Sequence, residues 1–405
     1  MLEVLSFYLL LLLIAVISEP LMARLGFPFS AFLVFLGFAG SELFIYAGGD
    51  TGLRWDIFHD LVFFLFLPVL IFEAAFNMNR HELGRNLPQI LLLAVPLTLL
   101  ATVVTAALLY FGVGHPQGFP WMAALIAAAL LSATDPVAVL ALFKRLGAPE
   151  RLRTIVDGES LFNDATAIVL FVLLLSLASG ERSEAGVLDT IGSFVLIFSG
   201  GTLAGALVAG LAMAMLRLAG EAVLRGVISL LAAYGAFLLA ESMHLSGVMA
   251  TLVAGLILGR MRDGTREGQA LHLLWEYKGW LANTLLFLIS GISFQLAMFS
   301  QQWLAMLIGI AAVLVARATN VFLLLPLLER LPGMQPTPRA WRPVIWSGGV
   351  RGAVTLALAL SLPVSLDYWW TIQSIAYGVV LWTLLVHAGS MPWLMRRLGL
   401  AESPH

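Results

Sequence analysis

The sequence predicts an all-α polytopic membrane protein, and three observations support this. Of its 405 residues, 60% are hydrophobic and only 11% are charged, whereas a soluble domain carries about 25% charged residues. The mean hydropathy is +0.95. The apolar residues also form repeated runs of about 20 residues, the length that crosses a bilayer as a helix. There are too few charged residues to coat a globule of this size, so much of the surface must face lipid.

We predict about 13 transmembrane spans from such runs between charged or Gly/Pro-containing segments. Spans eight and nine lie close together around residues 241–244. A single long hairpin helix at that place is the alternative, and it would reduce the count by one. The predicted limits are roughly 3–22, 27–47, 58–77, 87–112, 120–142, 154–178, 188–217, 223–242, 246–260, 271–297, 302–328, 340–363 and 370–395.

The basic residues fall mainly on one side of these spans. If the N-terminus lies outside, 17 of the 22 Lys and Arg residues lie in the predicted cytoplasmic loops and tail. Arg54 and Arg182 lie in outer loops, whereas Lys278, Arg317 and Arg351 fall inside spans. An excess of Lys and Arg in cytoplasmic loops indicates orientation. We therefore expect an integral protein of the plasma or inner membrane, with its N-terminus outside and its C-terminus cytoplasmic.

Composition excludes several other classes of protein. The net charge is −2 and no Lys/Arg-rich tract occurs, so no nucleic-acid partner is expected. Cysteine is absent, which excludes disulfides, thiolate metal sites and Cys nucleophiles. The HExxH, DDxxD and GxGD motifs of intramembrane enzymes are also absent, so we do not expect an enzyme. No loop could form a soluble domain, and residues 1–405 are predicted to form one integral membrane domain without a soluble regulatory domain.

Span five contains a break at residues 132–136 (SATDP). Pro136 lacks a backbone donor and moves Asp135 away from helical geometry. Irregular backbone in mid-membrane is tolerated only where it is buried in protein or lines a cavity. An aspartate at such a break is suited to hold a cation. The alternative is a kinked helix with a structural carboxyl group.

Span six contains a strip of polar residues at 158–164 (GESLFND). Glu159 and Asn163 are four residues apart, as are Ser160 and Asp164, so the four side chains share one helical face. Their oxygens suit a hard cation such as sodium better than a soft metal. The alternative is a polar seam between helices. Two carboxylates weaken that alternative, because one uncompensated acid in hydrocarbon is already costly.

Span twelve contains the segment 348–352 (GGVRG), which predicts a second interrupted helix. Its Arg351 needs an acidic partner, and the acids of spans five and six are the candidates. Spans five and twelve hold matching positions in two six-span halves. Such a pair of interrupted helices indicates a transporter built from inverted repeats. We place the first repeat at about 1–178, a linking span at about 188–217 and the second repeat at about 223–397.

Two further ionisable residues lie alone in predicted spans. Glu73 lies in span three and Arg317 in span eleven. Because intramembrane charges need partners, a second ion pair between these two residues, structural or gating, is an additional hypothesis. Sequence spacing alone does not establish their contact.

Three segments, in this order and spacing, resemble the monovalent cation/proton antiporters, in the branch of NhaP-like and NHE-like sodium/proton exchangers. They are 132–139 (SATDPVAV), 158–165 (GESLFNDA) and 348–354 (GGVRGAV). Supporting matches are 68–77 (PVLIFEAAFN), 245–247 (LSG), 275–276 (WE) and 283–287 (NTLLF). The resemblance covers the whole chain. Departures occur at Val69, at Ile71 and at His387, where the family pattern leads us to expect Gln.

The resemblance implies a fold and an assembly. The fold would have about 13 helices in two inverted six-helix repeats, with spans five and twelve discontinuous and crossed. These spans would belong to a mobile core domain at about 87–178 and 302–397. The remaining helices would form a scaffold on which a homodimer is built.

The resemblance also assigns roles to residues of this sequence. It implies that Asp164 is the essential ion- and proton-binding carboxylate. Asp135, Thr134 and Ser160 would be co-ligands of the transported sodium. Asn163 would belong to the same ion- and proton-binding site and would mark the electroneutral branch of the family, because electrogenic relatives carry a second aspartate there.

The remaining implications concern the ion pair and the activity. Glu159 would form a structural pair with Arg351. The activity would be secondary active exchange of sodium for protons by alternating access, with both ions competing for Asp164. The partners would be monovalent cations, protons and the bilayer, with no cofactor. Lithium or potassium as the transported cation, a potassium/proton antiporter of the same fold, and a passive cation channel are the alternatives.

Overall fold

The computed structural model describes residues 2–51, 60–114, 118–180, 186–218, 221–261, 265–331 and 334–401. Within these ranges the regular elements are all helices, which confirms the predicted all-α class. Arg54 and Arg182, which the charge pattern places in outer loops, lie outside the described residues.

The helices are numbered here in chain order. They are α1 (Leu2–Leu25), α2 (Phe29–Tyr46), α3 (Leu61–Asn77), α4 (Arg80–Gly112), α5 (Trp121–Ser132), α6 (Val137–Arg145), α7 (Glu150–Ala178), α8 (Val187–Leu218), α9 (Ala222–Ser242), α10 (Gly247–Leu258), α11 (Arg266–Ile292), α12 (Leu296–Leu328), α13 (Trp341–Ser347), α14 (Ala353–Leu360) and α15 (Trp369–Arg397).

Eight of these helices are long and apolar enough to cross a membrane, namely α1, α2, α4, α7, α8, α9, α12 and α15. α3, α5 and α10 are shorter apolar helices. Together with the composition, these lengths identify an integral membrane protein. The total of 13 spans stays a prediction. Near spans eight and nine, α9 ends at Ser242 and α10 begins at Gly247, with the Ser246 hydroxyl accepting a hydrogen bond from the Met249 amide. A single continuous helix therefore does not form there.

Four helices contain a π-helical turn that includes a proline or ends within four residues of one. The turns are Leu61–Phe66, Leu93–Leu97, Thr319–Leu324 and Thr383–Ala388, and the prolines are Pro68, Pro96, Pro326 and Pro392. A proline removes one backbone donor and clashes with the carbonyl four residues earlier. A wider turn accommodates both effects without ending the helix, so α3, α4, α12 and α15 continue past their prolines.

The described residues divide into two compact units. The first unit comprises the described residues within 1–59, 84–167 and 284–405. In it, α12 packs along both α4 and α15, and α4 also packs against α5. All of the broken-helix segments lie in this unit, and it holds every predicted ion ligand.

The second unit comprises the described residues within 60–83 and 168–283. In it, α10 packs against α3, α8 and α9. Trp275 of α11 is fully buried there; its ring lies 4.3 Å from that of Phe72, and its indole N–H donates to the Ser229 hydroxyl at 3.0 Å. The division into a mobile core and a scaffold stays a prediction.

Candidate ion-binding site

Both predicted helix interruptions are present, and they contact each other. α5 ends at Ser132 and α6 begins at Val137, while α13 ends at Ser347 and α14 begins at Ala353. Across the two breaks, the Asp135 amide donates to the Val350 carbonyl at 2.7 Å. The irregular backbone is thus buried against protein, as the bilayer requires.

Asp135 lies at the start of both α6 and α14. One carboxylate oxygen accepts the Val137 N–H at 3.0 Å and the other accepts the Ala353 N–H at 3.2 Å. These residues begin the two half-helices. The N-terminal end of a helix carries partial positive charge and unsatisfied N–H donors. A single carboxylate therefore stabilises two helix starts at the crossing.

Arg351 stabilises the C-terminal ends of the two half-helices that precede the breaks. Its Nε donates to the Leu131 carbonyl at 2.8 Å, near the end of α5, and another guanidinium nitrogen donates to the Gly349 carbonyl just after α13. The C-terminal end of a helix carries partial negative charge, which a cation stabilises. The Arg351 amide also donates to the Thr383 hydroxyl at 3.0 Å. The crossing thus contains one fixed anion at two helix starts and one fixed cation at two helix ends.

The glycines of the 348–352 segment are explained by close approach. A Cβ at Gly352 would overlap the Asp135 carboxylate, and a Cβ at Gly349 would overlap the Arg317 guanidinium. A side chain at either position would displace a charged group, so glycine is required by packing at both.

Thr134, in the span-five break, contacts the polar strip of α7. Its amide lies 3.2 Å from Asn163 Oδ1 and 3.1 Å from Asp164 Oδ1, and its side-chain oxygen accepts from Asn163 Nδ2 at 3.0 Å. The Ser160 hydroxyl donates to the Thr134 carbonyl. The structure therefore brings together four of the five residues predicted to bind the ion, and Asp135 follows directly in the chain.

Asp164 differs from Glu159 in having no cationic partner among the described residues, and from Asp135 in not lying at the start of two helices. Among the described residues, the hydrogen bond to its side chain comes from the neutral Thr134 amide. Asp164 is partly exposed, and it lies close enough to Asp135 for the two carboxylates to repel each other. An acid in this setting has no fixed counter-charge, so a mobile proton or cation has to supply it.

Glu159 pairs with Arg317, and the predicted pair of Glu159 with Arg351 is wrong. Two guanidinium nitrogens of Arg317 donate to the two Glu159 oxygens at 2.8 and 3.0 Å. Arg317 also donates to the carbonyls of Ile345 and Trp346 at 2.8 and 3.1 Å. This bidentate geometry is the strong form of an ion pair. The carbonyls of the crossing already engage Arg351, so it needs no acid.

The hypothesis of a second pair between Glu73 and Arg317 is wrong for the same reason. The guanidinium of Arg317 is used by Glu159 and by two carbonyls. Glu73 instead accepts a hydrogen bond from the Asn77 amide group at 2.7 Å.

Sequence reasoning missed several hydroxyl groups that support the site. The Thr355 hydroxyl donates to the Ala133 carbonyl at 3.2 Å, and the Thr383 hydroxyl accepts from Arg351. A polar cavity next to the ion pair is lined in part by Thr98, Thr105, Ser132, Glu159, Arg317 and Arg351. Thr355 lies one helical turn after the 348–352 segment, so its position in the sequence could have indicated a place in the site. Nothing in the sequence indicates Thr383, because its contact depends on how α15 packs.

Two interrupted helices that meet next to an acid inside a helical membrane protein are typical of secondary transporters. Comparison with known proteins gives the family. The sequence model described as "Sodium/hydrogen exchanger, transmembrane" matches residues 9–397. The chain therefore belongs to the sodium/hydrogen exchanger family.

Individual relatives agree with this assignment. The low-affinity Na+/H+ antiporter NhaS1 of Synechocystis is 34% identical over 96% of this chain and 72% of its own length. The Na+/H+ antiporter NhaH of Halobacillus aidingensis is 31% identical over 85% of each chain. The solved structure of the sodium proton antiporter MjNhaP1 from Methanocaldococcus jannaschii superposes with a TM-score of 0.74. It shares 20% identity and covers 98% of this chain and 99% of that one, which supports the fold.

Proposed function

We propose that this protein exchanges sodium for protons across the membrane and that the two ions compete for Asp164. The observation that carries the proposal is the setting of Asp164, a partly exposed carboxylate at a broken helix whose protein donor is a neutral amide. Relatives that cover most of this chain are named as Na+/H+ antiporters, which supports the same activity here.

The groups around Asp164 suit an alkali cation. Ser160, Thr134 and Asp135 offer hydroxyl, carbonyl and carboxylate oxygens close to it. Oxygen ligands of this kind are those that hard cations prefer. The Ser160 hydroxyl donates its hydrogen to the Thr134 carbonyl, which leaves the lone pairs of its oxygen free to bind a cation.

Competition for one carboxylate couples the two fluxes. A cation binds the ionised carboxylate and so displaces the proton, and a proton displaces the cation. Asn163 adds no charge to the site, so exchange of one cation for one proton would leave the net charge of the occupied site unchanged and be electroneutral. The balanced charges of Asp135 and Arg351 favour movement of the crossing as one piece. We further propose that the core at about 87–178 and 302–397 moves against a dimeric scaffold, with the N-terminus outside.

Replacement of Asp164 by Asn tests the proposal directly. Asp164→Asn keeps the shape and removes the titratable group, so we expect no cation-driven proton flux above that of empty vesicles. The measurement is quenching of a pH-sensitive dye in proteoliposomes after addition of NaCl. Asp189→Asn is the matched control, because Asp189 is an acid at the exposed start of α8 whose side chain accepts the Gly186 amide. Exchange that survives in purified, monodisperse Asp164→Asn protein overturns the assignment.

A series of cations distinguishes the remaining substrates. If proton and cation compete for one carboxylate, the cation concentration that gives half-maximal exchange should rise about tenfold for each unit fall in pH at acid pH. NaCl, LiCl and KCl are compared at the same ionic strength. A half-maximal concentration independent of pH would contradict competition, and a current that follows the membrane potential without moving protons would favour a channel.

A further inference from the structure

Basic side chains lie where three helices of the first unit end. α1 ends at Leu25, α6 at Arg145 and α15 at Arg397. We call the exposed basic side chains at these three ends the basic surface, and they are Arg24, Lys144, Arg145, Arg396 and Arg397. The proposed exchange at Asp164 uses none of them.

Hydrogen bonds and packing bring the three ends to one side of the unit. A guanidinium nitrogen of Arg145 donates to the Ala23 carbonyl at 3.2 Å, which joins the end of α6 to the end of α1. α6 begins at the helix crossing, where the Arg351 amide donates to Thr383 of α15. From there α6 packs against residues 389–397 of α15. The two helices therefore run in the same direction away from the crossing and end on the same side.

The basic surface has little counter-charge of its own. No carboxylate lies within 4.0 Å of its cationic groups in the part of the chain that the structure describes. Asp157 lies near enough to Lys144 to act on its charge, and Glu19 and Glu150 are the other acids on the adjoining helix segments. The C-terminal end of a helix attracts cations, and Arg145 meets this need at α1. The other four cationic groups have no hydrogen-bond acceptor among the described residues.

Exposed apolar side chains adjoin the basic surface on α1 and α15. We call Leu21, Leu25 and Trp393 the apolar rim, and these side chains are 52%, 67% and 59% exposed. The guanidinium carbon of Arg397 lies 5.2 Å from the centre of the Trp393 ring. Tryptophan is enriched where lipid tails meet headgroups. The rim and the basic surface together therefore have the chemistry of that boundary.

This combination indicates the kind of ligand that fits. Free phosphate or an acidic peptide would use the charges alone, whereas an anionic phospholipid would use both parts, with its phosphate on the cations and its acyl chains on the rim. Clusters of about four to eight Lys and Arg residues beside the cytoplasmic end of a membrane helix are typical of surfaces that bind anionic lipids. The charge pattern predicts that these ends are cytoplasmic, and the cytoplasmic leaflet carries such lipids.

We propose that the basic surface and the apolar rim bind the headgroup and the acyl chains of an anionic phospholipid. A phosphate there accepts charge-assisted hydrogen bonds from side chains of more than one helix. The bound lipid thus holds the ends of α1, α6 and α15 together and stabilises the folded protein in proportion to its occupancy. Binding does not require ion exchange, so it is tested separately from the proposed function.

The first experiment measures binding to the purified full chain by native mass spectrometry, with phosphatidylglycerol as the anionic lipid and phosphatidylcholine as the neutral one. A triple variant carries Arg24→Gln, Arg396→Gln and Arg397→Gln. One basic side chain contributes about 1 kcal/mol at an anionic membrane surface, so we expect the affinity for phosphatidylglycerol to fall about fivefold for each charge removed. Wild-type affinity in the triple variant, or equal binding of the two lipids by the wild type, overturns the proposal.

A matched control removes three exposed basic side chains from the second unit, as Arg217→Gln, Arg260→Gln and Arg266→Gln. It should keep the wild-type affinity, and an equal loss in both triple variants would show that only the total charge matters. Trp393→Gln keeps the whole basic surface and should weaken the lipid without changing the binding of inorganic phosphate. If the first triple variant does not purify, Arg24→Gln and Arg396→Gln alone should each show the fivefold loss, and wild-type affinity in both overturns the proposal.

The second experiment measures the thermal midpoint in detergent. Phosphatidylglycerol should raise the midpoint of the wild type and of the control, raise that of the first triple variant much less, and have a larger effect than phosphatidylcholine. Inorganic phosphate and poly-glutamate are added at the same concentration of negative charge. A rise with either that equals the rise with phosphatidylglycerol would assign the surface to free anions or to an acidic peptide and overturn the lipid site.

Discussion

The two acids of the polar strip on α7 lie little more than one helical turn apart and have opposite surroundings. Glu159 is 3% exposed and is bound by two nitrogens of Arg317, which itself is 9% exposed. Asp164 is partly exposed and has a neutral amide as its protein donor. The neighbouring acids thus differ chiefly in whether the protein supplies a fixed counter-charge. An acid with a fixed counter-charge has a structural role, whereas an acid without one can exchange a bound proton for a bound cation.

The same contrast explains why the site needs so many charged groups. Four charged groups of the site have fixed partners, and we call them committed. Asp135 and Arg351 bind helix ends, and Glu159 and Arg317 bind each other. Their charges are balanced before any ion arrives, so the one uncommitted carboxylate determines how the site responds to protons and cations. Changing Glu159 or Arg317 should therefore affect folding, whereas changing a group around Asp164 should affect ion binding.

The largest expected effect comes from breaking the committed pair. Arg317→Met leaves the Glu159 carboxylate buried without a partner, and breaking a buried ion pair costs about 3–5 kcal/mol. We expect a large fall in the midpoint of heat-induced aggregation in detergent, while Asp164→Asn keeps the wild-type midpoint. Adding Glu159→Gln to Arg317→Met should restore part of the loss. Equal midpoints for Arg317→Met and wild type would show that the pair is not structural.

An intermediate effect is expected at the helix crossing. Gly352→Ala inserts a methyl group that overlaps the Asp135 carboxylate, and overpacking of this kind costs about 1–3 kcal/mol. Gly210→Ala in α8 is the matched control, since a Cβ added there would meet no atom within 4 Å beyond the adjacent backbone of its own helix and alanine favours a helix by about 1 kcal/mol. The thermal midpoint should fall for Gly352→Ala and hold or rise for Gly210→Ala. The reverse order would contradict the close packing of the two breaks.

The smallest effect is expected next to the uncommitted acid. Thr134→Val removes the oxygen that accepts from Asn163, a hydrogen bond worth about 1 kcal/mol, or about a fivefold change in half-maximal sodium concentration. Thermal stability should change little. Thr166→Val is the control, because that hydroxyl donates within α7 to the Phe162 carbonyl. An equal loss of sodium affinity in both variants would mean that Thr134 has no special part in the site.

The membrane class and the two breaks could be predicted from the sequence because they depend on local properties. Composition sets the solvent that the protein faces, and Pro136 or the glycines around Arg351 interrupt a helix wherever it packs. The i, i+4 spacing of the acidic, amide and hydroxyl groups likewise placed them on one face of α7 before any packing was known.

The ion pairs could not be predicted in the same way. Two intramembrane arginines, Arg317 and Arg351, were candidate partners of Glu159, and both lie far from it in sequence. The choice depends on α12 packing along α4 and on the carbonyls that engage Arg351 at the crossing. Helix propensity and spacing contain no information about either contact. The double helix-capping role of Asp135 is hidden from the sequence for the same reason.

The donors that meet Asp135 and Asp164 belong to the main chain at residues 134, 137 and 353. A codon change replaces a side chain but leaves an amide hydrogen in place, unless the new residue is proline. Substitutions can therefore change the side-chain hydroxyls and amides that tune ion preference one at a time, while the backbone N–H donors remain. Relatives of this protein could therefore diverge in the ion they prefer while keeping the same backbone at the ion-binding site.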